Sequence, residues 1–491
     1  MKSKLYTFSI IALTAAVIAA CSSSENKPSL NDKIVFENKS VNPALAFAMP
    51  GFETKLQINT LISSDDQLVQ SPSFVFGAQP DGAGLMKDPA GTGYIMINNH
   101  EIHRAVSRVY LDETLKAVKG EYILDFEGGQ WRTCSATLAT PEEHGFGPIF
   151  LTAGESGEES LIHAIDPVGA ADKKNKTRVK PALGKASMEN AVPLTKNAYP
   201  GKTVIMIGED QSFGSSHQSA GQFILYVSNI VGDLENGKLY VLKRTNDDVV
   251  ETNIKLNQEV DVAFVEIPNA KNLKGSEINT KNIELKALRF SRVEDLDYRK
   301  GSAANNREIY FTATGQSSNG VDPTANYTMW GRIYKLVLDA ADPLKGKLSL
   351  VIDGDSQPGV GIINPDNICV TENYVYTQED GDSYYPAAKH DSYIWQYNIA
   401  SKENKPWVNM NHKRDDATFN AKYNPANEKR FGSWEWGAMY DISDIIGVPN
   451  TFLANIHPHT WQADKYLNVE GSGLSTNKEA GQVIIIRGVE K

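Results

Sequence analysis

The chain has 491 residues, 41% of them hydrophobic and 22% charged, with a formal net charge of −11 at pH 7. A negative surface argues against nucleic acid and anionic lipid as partners, since both carry the same sign. Acidity that serves solubility alone accounts for the charge equally well.

Lys2 and Lys4 precede an uncharged apolar stretch, 5–20, and Cys21 follows it, ahead of Ser-Ser-Ser-Glu-Asn. This is the pattern of an export signal, with a membrane anchor as the alternative. The tetrapeptide Ile18-Ala19-Ala20-Cys21 resembles the lipobox of bacterial lipoprotein signal peptides. The resemblance implies a chain cleaved before Cys21, lipidated there and anchored at the bacterial outer membrane, facing the periplasm or the surface. Acyl chains hold such a terminus at about 0.8 kcal/mol per buried CH₂. Loss of Lys2 and Lys4 with the signal takes the charge from −11 to −13. No later stretch approaches the ~18 apolar residues of a spanning helix. The sequence therefore divides into a signal at 1–20, a flexible tether at 21–45 and one large domain at 46–491, without a Pro/Gly/Ser-rich linker after residue 45. A monomer is expected.

Short β-branched and aromatic runs recur along that domain, at 94–98, 121–126, 149–153, 203–208, 222–228, 238–243, 262–267, 308–313, 332–338, 348–352, 373–377, 393–398, 451–456 and 482–487. Gly, Asn, Asp or Pro bounds most of them, as strands require. Helical patterning is weak and confined to 63–69, 111–118 and 443–446. Many strands without intervening helices leave a sandwich, a barrel or a propeller, and the length favours an all-β propeller of about six blades. Two polar stretches, 173–199 and 269–286, read as insertions.

Several strands end in acids: at Asn98 to Glu101, at Glu155, at Glu209 and Asp210, at Glu294 and Asp295, and at Glu379 to Asp382. In a propeller the inner strands run along the axis, so acids at equivalent strand ends converge on one mouth. Converging carboxylates repel unless a cation neutralises them, and Ca²⁺ takes six to eight oxygens, about what such a set offers. Any single pair can instead cap a turn. Cys134 and Cys369 remain after Cys21, each open to burial as a thiol, to a disulfide or to metal ligation. Trp434, Trp436 and Trp461 suit a core as readily as a binding platform.

In order along the chain, Asn99-His100-Glu101, Thr133-Cys134-Ser135, Gly147 to Glu155, Leu183-Gly184-Lys185 with Glu189, Gly208-Glu209-Asp210, Arg292-Val293-Glu294-Asp295, Pro365-Asp366-Asn367, Glu379-Asp380-Gly381 and Thr451 to Pro458 resemble elements of the PhoX-type secreted bacterial alkaline phosphatases. The chain departs from that pattern where Ala153-Gly154-Glu155 stands for Cys-Glu-Glu and Met188-Glu189 for His-Glu. The resemblance implies a propeller-centre cofactor of Fe³⁺ and Ca²⁺ ions bridged by an oxo group, hydrolysing small-molecule phosphate monoesters. It also implies Cys134 as an iron ligand, Glu101, Glu155, Glu189, Glu209, Glu294 and Asp366 as carboxylate ligands or their immediate neighbours, and Arg292 as the phosphate clamp. His100 and His457 are weaker candidates, since a lone histidine more often orients a ligand than serves as one. The reaction implied is metal-assisted in-line displacement; no Gly-x-Ser-x-Gly elbow or P-loop offers another route. A non-catalytic, Ca²⁺-stabilised propeller lipoprotein that binds a glycan or protein is the alternative, and a lactonase or phosphodiesterase on the same scaffold is a third reading.

Overall fold

The computed structural model describes residues 31–155, 157–211, 220–315, 326–381, 388–467 and 477–491. The expected signal, Cys21 and Asp382 lie outside the described residues. Twenty-five strands, every pair antiparallel, form the described body.

After an edge strand β1 (Ala46–Ala48) and β2 (Gln57–Ser63), the first blade is β3 (Pro80–Lys87), β4 (Tyr94–His100), β5 (Ala105–Leu111) and β6 (Ala117–Leu124). The second is β7 (Thr133–Ala139), β8 (Ile149–Gly154) and β9 (His163–Ile165). The third is β10 (Met188–Pro193), β11 (Thr203–Glu209), β12 (Phe223–Ser228) and β13 (Lys238–Arg244), with β14 (Glu259–Glu266) beyond. The fourth is β15 (Leu296–Tyr298), β16 (Glu308–Ala313), β17 (Arg332–Leu338) and β18 (Lys345–Asp353), and β14 pairs with β18 to join these two blades at their outer edges. The fifth is β19 (Pro365–Val370), β20 (Tyr374–Glu379), β21 (Tyr393–Asn398) and β22 (Asn404–Met410), edged by β1. The sixth is β23 (Glu435–Asp441), β24 (Thr451–His457) and β25 (Gln482–Arg487), completed by β2.

The innermost strands β3, β7, β10, β15, β19 and β23 neighbour one another in that order, and β23 returns to β3. This is a six-bladed β-propeller, closed where β2 pairs with β25, Gln57 opposite Arg487 and Ser63 opposite Gln482. The closure ties the first strands of the domain to the last and leaves each blade only short edges.

Packing explains the sequence pattern. A middle strand such as β11, Thr-Val-Ile-Met-Ile-Gly-Glu, is buried at every position because neighbouring blades cover both faces. Between the third and fourth blades Phe223, Phe290, Phe311 and Tyr334 interlock, with ring centroids 5.0 Å apart for Phe223 and Phe311 and 5.2 Å for Phe311 and Tyr334. Toward the axis the blades crowd. A Cβ on Gly82 would stand 2.2 Å from the Ala136 backbone nitrogen, so only glycine lets β3 approach β7.

Trp434, Trp436 and Trp461 are buried in the fifth and sixth blades, which makes them core residues and not a platform. Within the stretch expected as a tether, Ile34, Asn42 and Leu45 are buried against the body. The helix expected at 111–118 is instead the β5–β6 turn, held by the Asp112 carboxylate accepting from the Thr114 and Lys116 amides. At 63–69 the chain is strand end and turn, whereas Ser443–Ile446 is a one-turn helix. The stretch 269–286 carries a helix, Gly275–Glu284, outside the blades; 173–199 is part insertion and part β10.

Candidate metal centre

One backbone device repeats around the ring. In five blades the residue just after the second strand donates its amide to a carbonyl just ahead of, or entering, the first. The pairs are Glu101 to Gln79 at 3.0 Å, Glu155 to Arg132 at 3.0 Å, Asp210 to Ser187 at 2.8 Å, Thr314 to Arg292 at 2.9 Å and Asp380 to Asn364 at 2.9 Å. In the sixth, His457 stands directly opposite Glu435. A register break follows two residues later on the inner strand in all five blades where that stretch is paired. It leaves Asp81 and Gly82, Cys134 and Ser135, Glu189 and Asn190, Asp366 and Asn367, and Gly437 and Ala438 out of the ladder. Bulges of this kind re-aim side chains. Glu294 and Asp295 hold the equivalent place ahead of β15.

The side chain at the first position of each pair, where there is one, faces the axis, and several at the second tie blades together. Asn190 Nδ2 donates to Asp295 Oδ1 at 2.6 Å and the Ile368 amide to Asp295 Oδ2 at 3.0 Å between neighbouring blades, whereas Asn367 Nδ2 donates to Ser135 Oγ at 2.9 Å from the fifth blade to the second, on the opposite side of the ring. Asn99 Nδ2 donates to the Cys134 carbonyl at 2.5 Å.

Three ligand triads follow, each with donor atoms within 4.8 Å of one another: Glu101, Cys134 and Glu155; Asp81, Cys134 and Glu189; and Glu189, Glu294 and Asp366. They share Cys134 and Glu189, so they form one continuous centre. Cys134 Sγ lies 3.3 Å from Glu155 Oε2, and Glu189 Oε1 accepts from the Ser135 amide at 3.0 Å. Two arginines border it. Arg132 Nη1 reaches Glu101 at 2.5 Å, its side chain 43% exposed at the mouth. Arg292 places Nε 2.7 Å from Asp210 and pairs Nη2 with Glu294, on a backbone held at φ 64°. A left-handed non-glycine residue stores about 1–3 kcal/mol, a cost typical of functional sites.

The electrostatics are those of too many acids in one place. Burial, and then Glu294 and Asp81, raise Glu189 well above the carboxylate range. Burial and Glu294 do the same to Asp366, and burial, Asp210 and Glu101 to Glu155. Burial raises Asp81 against the pull of His457, with Glu101 and Glu435 adding to it. Burial pushes Glu294 up to about 7, although Arg292 lowers it. The Cys134 thiol rises through burial and through Glu189 and Glu101. Asp81 Oδ1 and Asp366 Oδ1 are buried and make no hydrogen bond among the described residues. Orphaned carboxylate oxygens, a thiol and mutually repelling acids form a donor set of the kind that suits cations.

Of the residues singled out from the sequence, Cys134, Glu101, Glu155, Glu189, Glu294 and Asp366 come together, with Arg292 at their edge. Glu209 does not. It pairs with Met188 as the last residue of β11, one position before the axis-facing Asp210, and side chains alternate along a strand. Burial, with Asp210 next, raises Glu209 to about 8. Glu379 is displaced in the same way: its carboxylate accepts from the Ile363 and Tyr393 amides and the Trp395 indole. His100 is buried, bonded through Nε2 to Ser107 Oγ at 2.8 Å. Cys134 and Cys369 are both free and buried. Sequence reasoning missed Asp81, Arg132, Glu435 and His459. The signal for Asp81 was its kinship with Asp366, each following a proline that follows a left-handed residue, Gln79 and Asn364.

The fold and the site define a six-bladed propeller with an acid- and thiol-lined axial centre able to hold cations. Its fold is similar to that of Pseudomonas fluorescens PhoX in complex with vanadate, a transition state analogue, at a TM-score of 0.61 and 14% identity, covering 93% of this chain and 99% of that one. More distant similarity extends to an α-L-arabinofuranosidase of Fusarium graminearum, at a TM-score of 0.40 and 10% identity over 83% of this chain and 93% of that one. It extends also to a PQQ-bound aldose sugar dehydrogenase of Streptomyces coelicolor, at 0.37 and 9% over 91% and 100%. No protein-family model matches the sequence, and no curated protein sequence matches it.

Proposed function

We propose that the protein is a metal-dependent phosphatase that hydrolyses phosphate monoesters at the axial centre. One observation carries the reading: Cys134 and the acids of five blades meet in linked triads beside two arginines. The similar fold of PhoX supports it, a protein seen with a transition-state analogue of phosphoryl transfer.

The donor set fits the implied ions. Glu189, Glu294, Asp366 and Asp81 offer the hard oxygens that Ca²⁺ takes, and Cys134 with Glu101 and Glu155 offers the thiolate and carboxylates that suit iron. When bound, these ions supply Lewis acidity toward phosphoryl oxygens and an activated oxygen nucleophile. The chain does the rest. The rigid blade ends fix the carboxylates in place. Among the described residues Arg292 uses Nε and Nη2 on Asp210 and Glu294, which leaves Nη1 to meet a phosphate oxygen. Arg132, at the mouth, draws an anionic substrate toward an otherwise acidic surface. The arginines balance charge that grows on the phosphoryl group as the ester bond breaks.

The test is direct. Purified protein should contain iron and calcium, hydrolyse p-nitrophenyl phosphate at alkaline pH and be inhibited by vanadate. Calcium alone with no turnover would instead favour the Ca²⁺-stabilised binding module. Arg292→Ala should cut turnover by about 10²–10³-fold while leaving the metal content intact. Loss of metal or of fold in that variant would make Arg292 structural. Anchoring through Cys21 belongs to the same proposal, and the intact mass of the membrane-extracted chain checks it.

A further inference from the structure

We propose that Glu435, His457 and His459 form a separate site for a divalent ion of the zinc class, at the seam between the sixth and first blades. This inference goes beyond the phosphatase reading and does not depend on it.

The sixth blade breaks the pattern of the other five. At the axis-facing bulge position, where they carry Asp81, Cys134, Glu189, Glu294 and Asp366, it has Gly437. Two residues earlier, where they carry Gln79, Arg132, Ser187, Arg292 and Asn364, it has an acid, Glu435. Opposite that acid stands His457 where the others end in Glu101, Glu155, Asp210, Thr314 and Asp380. A side chain cannot replace Gly437, since a Cβ there would lie 2.9 Å from His457 Nε2 and 2.5 Å from the Pro80 carbonyl. Glycine makes room for the contact between those two.

That contact orients the first imidazole. His457 is fully buried, and its Nε2 lies 2.8 Å from the Pro80 carbonyl, which can only accept. The proton therefore sits on Nε2, and in the neutral ring Nδ1 holds a lone pair. Nδ1 lies 3.2 Å from Glu435 Oε2. The chain turns at Pro458, with the His459 amide donating to the His457 carbonyl at 3.0 Å, and brings the second ring to the same spot. His459 Nδ1 lies 3.0 Å from Glu479, which Gln79 Nε2 holds at 2.9 Å. His459 Nε2 then faces Glu435 Oε2 at 3.1 Å.

Two histidines, each fixed by an oxygen acceptor on its far nitrogen, aim their near nitrogens at one carboxylate oxygen. Metal-binding histidines are oriented in this way. Bonds of about 2.0–2.1 Å set ligand atoms roughly 3.3 Å apart around a tetrahedral ion, close to the 3.2 and 3.1 Å that separate the two imidazole nitrogens from Glu435 Oε2. Two nitrogens and one oxygen suit Zn²⁺, Co²⁺ or Fe²⁺ and not calcium, which takes six to eight oxygens. With three protein ligands the ion keeps an open position. His459, 18% exposed on its side chain, gives it a route to solvent.

Co²⁺ is the probe. The full mature chain, stripped with a chelator, should bind a Co²⁺ ion whose visible d–d bands carry no thiolate charge-transfer band. Those bands should persist in Cys134→Ser. In His459→Gln, on the rim, and in Glu435→Gln, Co²⁺ affinity at this site should fall at least about 100-fold while far-UV circular dichroism stays unchanged. Uptake that is equal in wild type and both variants, or in wild type only as a thiolate-ligated ion, overturns the proposal. The cluster would then be a charged imidazolium–carboxylate group with no ion. Failure of the phosphatase reading shows instead in the assays that depend on Cys134 and Arg292.

Discussion

Cys134→Ser is expected to lower phosphomonoester turnover by on the order of 10³-fold, about 4 kcal/mol of transition-state stabilisation, with iron lost and calcium kept. The Cys134 sulfur belongs to two of the three triads, so its removal disturbs both the mouth and the middle of the centre. A serine hydroxyl is close in shape but does not ionise in reach of neutral pH, and a soft anionic ligand is what distinguishes iron from calcium here. The fold should survive, because the lacing bond at this position runs from Asn99 to the backbone carbonyl of residue 134 and not to its side chain. Metal analysis beside the rate assay decides it. If iron and turnover both persist in a folded variant, the thiolate is no ligand, and the Ca²⁺-stabilised binding module gains the ground.

Most of the outer strands were legible in the sequence, although β5, β9 and β22 were not, and nor was the axis. The expected strands at 94–98, 203–208, 222–228, 332–338 and 451–456 coincide with β4, β11, β12, β17 and β24; β4, β11 and β24 are buried at every position and largely apolar, whereas β17, with Arg332 and Lys335, betrays itself by its alternation. Every innermost strand escaped. β3 reads Pro-Asp-Gly-Ala-Gly, β10 Met-Glu-Asn-Ala-Val-Pro and β19 Pro-Asp-Asn-Ile-Cys-Val. These strands spend their length on axis-facing acids and a thiol, on residues that tie blades together, and on glycines that allow close approach. No hydrophobic period remains for a reader to find. The strand ends that were visible are exits of second strands, which explains both the successes and the miss. Glu101 and Glu155 stand at the axis-facing position, and Glu209 stands one residue short of it. Pairing register alone separates Glu209 from Asp210, and local sequence does not encode it. Cys134, Glu189 and Asp366 were legible only through likeness to a family, since each lies in a segment without strand alternation. Asp81 had the same local form as Asp366 and went unread because a single Pro-Asp-Gly looks like a turn.

Stripping the metals should make stability fall as pH rises, and reloading should remove that slope. In the metal-free protein Glu294 is held at about 7, and Asp81, Glu155, Glu189 and Asp366 lie well above the usual range, with burial as the largest cause for each. In the unfolded chain these groups titrate near 4. Between those limits the folded state binds more protons than the unfolded one, so stability present below about pH 4 is lost as pH rises toward 7 and beyond. Glu294 alone accounts for on the order of 3 kcal/mol of that loss, since one pKa unit is about 1.4 kcal/mol. Bound cations reverse the sign: they require the ionised carboxylates, so their affinity grows as the protons leave. An ion at about 1,000 times its Kd adds roughly 4 kcal/mol, which corresponds to a Tm shift of about 4 °C per site for a domain of this size. Thermal melts at pH 5 and pH 8, on stripped and on reloaded protein, give the comparison. The stripped protein should melt lower at pH 8 than at pH 5, and metal should raise the pH 8 melt far more than the pH 5 one. Equal melts for the stripped protein at both pH values would mean that the axial acids share their charge with solvent and do not wait for a cation.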